Sequence, residues 1–471
     1  MDKKNFYITT TLPYVNANPH IGFALEIIQA DVIARFKRAQ GFEVFFNFGA
    51  DEHGVKVLRK AEEAGMDPKA YCDIYAAKFD NLKTALNLSY NNFIRTTDEH
   101  HVAAAQEFWK LCEKNGDIYK KNYKIKYCVG CELEKSESEL ENDKCPIHPN
   151  LAIELIDEEN YFFKYSKYQQ PLLDFYKNNP DFVVPATRLN EITEFTKKGL
   201  EDFSISRLKE KMPWGVSVPG DDKHVMYVWF DALVGYISAL GWPENKERFK
   251  QFWPGMQTAG KDNLRQQSSM WQAMLLSAGL PNSKQIFIHG FITAGGQKMS
   301  KSLGNVVDPF ELVKKYGTDA VRYFLLREIT PTEDGDFTIE KFEQRYNSDL
   351  AGGVGNLVAR MLGIAKDVDW KMAKDSKAVN DAKLAVEKAL EEFKFNEALA
   401  AVWGLISFCD KRINEQKLWE TKDAKVIGEM FLVISEIGKL LESFLPETAE
   451  KIKQAVESKK SEILFPRLIK P

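Results

Sequence analysis

The apolar positions change character over short distances along the first hundred residues. Phe6 to Thr11 is β-branched and aromatic. It runs into Leu12-Pro13-Tyr14-Val15-Asn16-Ala17-Asn18-Pro19, which predicts a strand ending in a turn. Ala24, Leu25, Ile28, Val32 and Phe36 then recur at helical spacing between Gly22 and Gln40, and Gly41 stops that helix. Phe42 to Phe48 reads as a second, fully buried strand, followed by Gly49-Ala50-Asp51-Glu52-His53-Gly54 and another helix. Strand, helix and strand at these lengths open a parallel α/β sheet.

Residues 115–225 break that rhythm. Short strand-like pieces there flank an acidic stretch, Glu132, Glu134, Glu137, Glu139, Glu141 and Asp143, and the segment reads as an insertion between two halves of the sheet. Strand-like patterning resumes at Met226-Tyr227-Val228-Trp229-Phe230 and at Gln285-Ile286-Phe287-Ile288-His289. From about residue 340 strand signals fade. Lys383 to Phe393 and Ile427 to Phe444 have helical periodicity, which predicts a helix bundle.

Composition narrows the class. With 471 residues, about three domains are expected, and a core of that size needs no disulfide staples. The 31 Phe, 17 Tyr and 9 Trp exclude a disordered chain. A net charge of -4 excludes a uniformly basic nucleic-acid coat and leaves room for local basic grooves. No signal peptide opens the chain and no run of about 18 apolar residues is present, so a cytoplasmic protein without membrane contact is expected.

Six cysteines are too few for a secreted disulfide scaffold. Cys128-Val129-Gly130-Cys131 and Cys145-Pro146-Ile147-His148 each separate two metal-binding residues by two others, the spacing with which a tight turn presents both to one tetrahedral Zn²⁺. Three thiolates and one imidazole close the coordination sphere, which makes the expected zinc structural. Cys72, Cys112 and Cys409 stand alone and read as small buried hydrophobes.

Two further stretches suggest phosphate chemistry. His20-Ile21-Gly22-Phe23 falls where a strand gives way to a helix N-terminus, whose free N–H groups and dipole attract anions, although His-x-Gly is also ordinary turn chemistry. Gly22 is expected to let a flat ring approach the backbone. Downstream, Gly295-Gly296-Gln297-Lys298-Met299-Ser300-Lys301-Ser302-Leu303-Gly304-Asn305 places two lysines three apart in a mobile cationic loop, suited to closing over a polyphosphate.

Taken in this order, His20-Ile21-Gly22 and Lys298-Met299-Ser300-Lys301-Ser302 resemble the two signatures of class I aminoacyl-tRNA synthetases, His-Ile-Gly-His and Lys-Met-Ser-Lys-Ser. More narrowly, the chain is similar to the methionyl-tRNA synthetases from Tyr7 to beyond Trp419, including Gly260-Lys261-Asp262-Asn263 and Asp319-Ala320-Val321-Arg322-Tyr323. The resemblance implies a Rossmann-like parallel sheet split by a zinc-bearing connective insertion, followed by an all-α anticodon domain. The expected division is 1–114 and 226–325 for the catalytic halves, 115–225 for the insertion, 326–355 for a stem-contact linker and 356–471 for the bundle.

It also implies an activity. Methionine reacts with ATP to give methionyl-adenylate and pyrophosphate, and the methionyl group then passes to the 3′-terminal adenosine of tRNA(Met). By resemblance, His20 and Gly22 hold ATP phosphate and adenine, Lys298 and Lys301 grip the phosphates, Gly260 and Asp262 contact the ribose, and Mg²⁺ accompanies ATP. Leu12 and Tyr14 form one wall of the methionine pocket, Trp229, Ala232, Leu233 and Tyr236 another, with Trp271 at the far end and Asp51 on the amino group. Without the resemblance, Trp229 and Tyr236 read as core residues. Asn356, Arg360 and Trp419 are expected to read the CAU anticodon, where composition alone suggests an ordinary amphipathic bundle. The chain ends without an appended tRNA-binding module, so a monomer is expected.

Four positions depart from the family pattern: Phe23 in place of the second signature histidine, Gln267 where a histidine often lies near the thioether, His148 where many relatives have Cys, and Leu418 where relatives often have Pro. The alternatives are a synthetase for isoleucine, valine or leucine, whose editing insertion is usually larger than residues 115–225, or a cysteinyl enzyme with its zinc in the pocket. A catalytically weak tRNA-binding paralogue is the third, supported only by Phe23.

Overall fold

The computed structural model describes residues 4–131, 133–135, 139–299, 304–460 and 463–469. Lys301 lies outside the described residues, as do Glu132 and Glu137 of the acidic stretch. The chain divides into two compact units, one formed by residues 1–18, 43–81 and 90–288, the other by 19–42, 82–89 and 289–471.

The first unit is organised by a six-stranded sheet. Its strands lie in the order Asn92–Arg95, Glu43–Ala50, Asn5–Thr9, Met256–Gly260, Gln285–His289 and Val183–Val184. Asn5–Thr9 pairs in parallel with Glu43–Ala50 on one side and with Met256–Gly260 on the other. The chain order therefore reverses at Asn5–Thr9, the place where doubly wound sheets open a crevice beyond the carboxyl ends of their strands. Tyr7, Ile8, Phe46, Phe48 and Ala259 are buried on both faces of this sheet, which explains their unbroken apolar runs.

Two antiparallel sheets build the insertion. Ile118–Cys128 pairs along its length with Glu154–Phe163, carrying Leu133–Lys135 on its other edge, and Ser206–Leu208, Asp221–Met226 and Ser217–Val218 form the second sheet. Two sequence expectations change here. Val183–Val184, inside residues 115–225, joins the parallel sheet, and the apolar run at 226–230 is no strand of it. Asp221–Met226 ends an antiparallel ribbon and Val228–Ala232 is a short helix. A brief apolar run buried on all sides fits strand and helix equally, and periodicity cannot separate them.

Among the described residues the second unit is helical apart from a small sheet of Gln297–Lys298, Ile292–Ala294 and Gly335–Phe337. Phe395–Glu415 buries Phe395, Ala398, Leu399, Val402, Leu405, Ile406, Cys409 and Ile413, a 3-4 stripe that matches the predicted bundle. Helix Ile21–Ala39 belongs to this unit. Its Asp31 is fully buried and ion-paired with Arg322 (2.8 Å) and Arg35 (2.7 Å). Arg322 also donates to the carbonyls of Leu86, Ser443 and Phe444, so one guanidinium ties helix Ile21–Ala39 to the turns that follow Leu82–Ala85 and Ala424–Leu441. Burial raises the Asp31 carboxyl, but the two arginines overcome it and leave the carboxyl below its ordinary range.

Candidate active site, metal centre and anticodon face

Three neighbouring strands of the first unit present, from their carboxyl ends, residues expected to meet the amino acid and the ribose. Leu12 and Tyr14 follow Asn5–Thr9, Asp51 follows Glu43–Ala50, and Asp262 follows Met256–Gly260. Asp51 N donates to the Pro13 carbonyl (2.9 Å) and Val15 N to the Asp51 carbonyl (3.2 Å), which locks Tyr14 beside Asp51. Tyr14 meets Trp229 edge-on with ring centroids 6.5 Å apart, and Tyr236 meets Trp271 the same way at 6.1 Å.

Gln267 sits on a π-helical turn, Gln266–Met270, and donates through Nε2 to the Tyr236 hydroxyl at 2.5 Å. Such turns recur at functional sites and carry no sequence signature. Trp229 Nε1, Trp271 Nε1 and Gln267 Oε1 are buried without a hydrogen-bond partner among the described residues, as polar groups are when a ligand completes them. Ala232 is buried beside them, and Leu233, Tyr236 and Trp271 also belong to the main apolar core. Leu12 packs so closely over Gly235 that a Cβ there would lie 2.7 Å from Leu12 Cδ1.

Behind these residues lies a buried cluster that the sequence pattern does not signal. Asp231 accepts from His53 Nδ1 (2.6 Å) and His101 Nε2 (2.8 Å), and His101 Nδ1 accepts from the Ser238 hydroxyl (2.9 Å). Burial raises the Asp231 carboxyl, yet the two histidines overcome it and hold it at about 2. His53, Asp231 and Ser238 each stand two residues from Asp51, Trp229 and Tyr236. The partners are 130 and 178 residues apart in sequence, which hides the cluster.

In the second unit His20 caps helix Ile21–Ala39, accepting the Gly22 N–H through Nδ1 at 3.0 Å. Burial pulls its imidazole down to about 4, so at neutral pH it is uncharged with its proton on Nε2. The expectation of free helix N–H groups is overturned. Ile21 N donates to the Val307 carbonyl, Gly22 N to His20 Nδ1, and Phe23 N and Ala24 N to the His20 carbonyl.

Gly22 also has a reason within the chain itself. A Cβ there would lie 2.8 Å from His20 Cε1, so glycine is what lets the imidazole fold over its own helix. Gly22→Ala is expected to swing His20 off the cap and lower the maximal rate of ATP-dependent activity about tenfold or more. An unchanged maximal rate would refute this. Phe23 lies against the His20 ring, centroids 4.4 Å apart.

Gly295 and Gly296, both at positive φ, form the two-residue turn between Ile292–Ala294 and Gln297–Lys298. Asp336 fastens this hairpin, accepting from Gly296 N and Thr293 Oγ1, both at 2.7 Å. The hairpin carries Lys298, while Ser300, Lys301 and Ser302 fall outside the described residues.

The expected knuckle is assembled. The donor atoms of Cys128, Cys131, Cys145 and His148 all lie within 4.8 Å of one another. Cys131 Sγ is 3.5 Å from Cys145 Sγ and 3.3 Å from His148 Nδ1, and Cys128 Sγ is 3.8 Å from that nitrogen. A tetrahedron with metal–sulfur bonds of about 2.3 Å has edges of about 3.8 Å, so the set fits one ion and is too wide for a disulfide. Cys72, Cys112 and Cys409 are buried and free, and burial pushes the Cys112 thiol up to about 12.

On the bundle, Asn356 and Arg360 begin helix Asn356–Ile364. Arg360 lies 5.3 Å from the centre of the Trp419 ring and donates to Asn414 Oδ1 (2.8 Å). Trp419 is 45% exposed, while its neighbour Leu418 is fully buried and anchors the short helix that presents it. Lys417 and Lys422, both left-handed, bound that helix.

Comparison with known proteins shows the family. The family described as tRNA synthetases class I (M) matches residues 6–148 and 130–362. The methionine–tRNA ligase of Brucella suis is 41% identical over 96% of this chain and 92% of its own length, and that of Thermosynechococcus vestitus is 48% identical over 85% and 75%. The Mycobacterium tuberculosis methionyl-tRNA synthetase in complex with methionyl-adenylate superposes with a TM-score of 0.90 at 36% identity, covering 96% of this chain and 93% of that one. This chain belongs to the class I tRNA synthetases. Within that class it is a member of the methionyl-tRNA synthetase family. Among the described residues no helix is long and apolar enough to cross a membrane.

Proposed function

We propose that the chain ligates methionine to tRNA(Met) in two steps, with the residues above in the following roles. The aromatic set Tyr14, Trp229, Tyr236 and Trp271 takes the thioether side chain, since sulfur–aromatic contacts are favourable. Asp51 takes the α-amino group, and Gln267 faces the sulfur end. Gly260 and Asp262 hold the adenosine ribose, and His20 donates its Nε2 proton to a phosphate oxygen of ATP. Lys298 and Lys301 meet the remaining phosphate charge, and Mg²⁺ bound with ATP neutralises part of the triphosphate.

The methionine carboxylate attacks the α-phosphorus in line. A P–O bond forms as the bond to pyrophosphate breaks, and the electron pair leaves on pyrophosphate. The ribose hydroxyl of the tRNA's terminal adenosine then attacks the acyl carbon and expels AMP. No side-chain nucleophile is needed, because positioning and charge stabilisation lower both barriers. The observation that carries this reading is the aromatic cluster with its unpartnered buried polar atoms, set next to Asp51 at the sheet's switch point.

The decisive test is methionine-dependent ATP–pyrophosphate exchange, with isoleucine, leucine, valine and cysteine in parallel. Exchange with methionine alone is expected. Exchange with none of the five would sink the reading and favour a tRNA-binding paralogue.

Cys128, Cys131, Cys145 and His148 would hold one structural zinc, a monomer is the expected state, and residues 115–225 and 356–471 the expected connective and anticodon domains. Elemental analysis should find one zinc per chain, lost in the Cys128→Ala/Cys131→Ala double variant together with order in the insertion. A chelator-treated protein of unchanged melting temperature would rule the structural role out. Asn356, Arg360 and Trp419 would read the anticodon, the tryptophan stacking on an unstacked base.

A further inference from the structure

Next to the residues assigned to methionine lies a cavity that none of those roles uses. It measures about 260 Å³ and is lined by Gly54, Tyr127, Arg207, Lys211, Tyr227 and Val228. Tyr227 and Val228 lead directly into Trp229, so the cavity abuts the amino-acid site on its insertion side.

Its wall is layered and rigid. The Arg207 guanidinium lies 5.2 Å from the Tyr127 ring centre and 4.6 Å from that of Tyr227, and its Nη1 donates to Ser204 Oγ (2.8 Å) and the Ser206 carbonyl (2.7 Å). The mouth is charged. Arg59 pairs with Glu154 at 2.8 Å and Lys211 with Glu158 at 3.1 Å, so with Arg207 three cations stand against two carboxylates. Leu155, also part of the lining, is 78% exposed, an apolar side chain with nothing to cover it in the free protein.

A planar ring with polar edges and an anionic tether satisfies every one of these features. Aromatic and guanidinium faces take a base by stacking, the cationic excess takes its phosphate, and Leu155 covers the ring's outer face. The volume falls just under the roughly 300 Å³ at which drug-sized sites begin and is ample for one base. We propose that this cavity receives a single unstacked base of the tRNA's single-stranded 3′ end while the terminal adenosine reaches the acyl group. The proposal rests on the ligase reading above.

The test uses the whole metal-loaded chain with two rim variants, Leu155→Ser and Lys211→Glu. Binding is measured for an intact tRNA(Met) transcript and for one lacking its last three nucleotides, alongside aminoacylation and methionine-dependent exchange. In the parent protein the intact transcript should bind about tenfold tighter than the truncated one, the worth of one stacked base. In both variants this advantage should shrink to about twofold or less, with aminoacylation falling about tenfold and exchange retained. An intact-to-truncated ratio that stays the same in parent and variants overturns the proposal. So does a parallel fall of exchange and aminoacylation, which assigns the cavity to the adenylate. No exchange in the parent protein is a different failure, that of the ligase reading itself. Leu155→Ser leaves every charge in place, so a loss seen with Lys211→Glu alone marks general attraction for RNA and also overturns the base site.

Discussion

Replacing His20 by alanine lowers the maximal rate of methionine-dependent pyrophosphate exchange by about 100- to 1000-fold, the usual worth of one preorganised donor aimed at developing charge, while the KM for methionine stays close to its parent value. The expectation follows from the capped helix. Gly22 N–H occupies Nδ1, burial keeps the ring uncharged, and the one remaining polar atom is Nε2 with its proton. No other first-turn group can substitute, because the N–H groups of residues 21–24 are already bonded within the chain. His20→Asn keeps an acceptor for Gly22 and restores a donor, so part of the rate should return.

The pH dependence has a definite sign. The folded ring titrates near 4 against 6.5 when exposed, so the unfolded chain takes the proton first. The stability this group contributes is fully present above pH 6.5 and is lost as pH falls toward 4, and the donor itself is unaltered from pH 6.5 upward. A rate profile for the parent enzyme that bends with a His20-dependent pKa near 6.5 would contradict this.

Asp231→Ala is the second large effect. Removing the carboxylate strands two buried histidine N–H groups, and breaking a buried charged cluster costs about 3–5 kcal/mol. Chemical denaturation should show that loss. Because Asp231 shares its short helix with Trp229, the surviving folded protein should also need more methionine to saturate. Asp231→Asn keeps the shape and one acceptor and should be milder on both counts. The carboxyl titrates at about 2 against 3.8 when exposed, so its contribution is complete above pH 3.8 and is lost as pH falls toward 2. A denaturation midpoint and a methionine KM that both match the parent would show the cluster to be dispensable.

Local chemistry was legible from the chain, and distant pairing was not. The spacing of Cys128, Cys131, Cys145 and His148 suffices to place four donors around one point, because two tight turns do the work. The helical stripe on Phe395–Glu415 and the β-branched, aromatic run at Asn5–Thr9 are equally local. Val183–Val184 was hidden because two residues carry no period, and 226–230 was misread because full burial erases the period that distinguishes strand from helix. That Gly22 also makes room for the His20 ring was hidden, since only the folded imidazole shows what its missing Cβ admits. The link of Asp231 to His53 and His101 joins three elements that nothing in one sequence connects.

The buried pair of Asp31 and Arg322 has a bearing on how the chain is made. Its members are 291 residues apart, and Arg322 takes its remaining acceptors from Leu86, Ser443 and Phe444. At roughly 5–20 residues per second a ribosome needs about 15–60 s between releasing one partner and the other. Throughout that interval the Asp31 carboxylate has only Arg35, one turn on in its own helix, as counter-ion, and the strands on either side of that helix in sequence can pair before it has a place to settle. The helix that carries His20 is thus among the first segments to be synthesised and among the last to be secured. A ribosome-bound chain truncated before Ser443 should leave residues 21–39 open to protease, and a full-length chain should not.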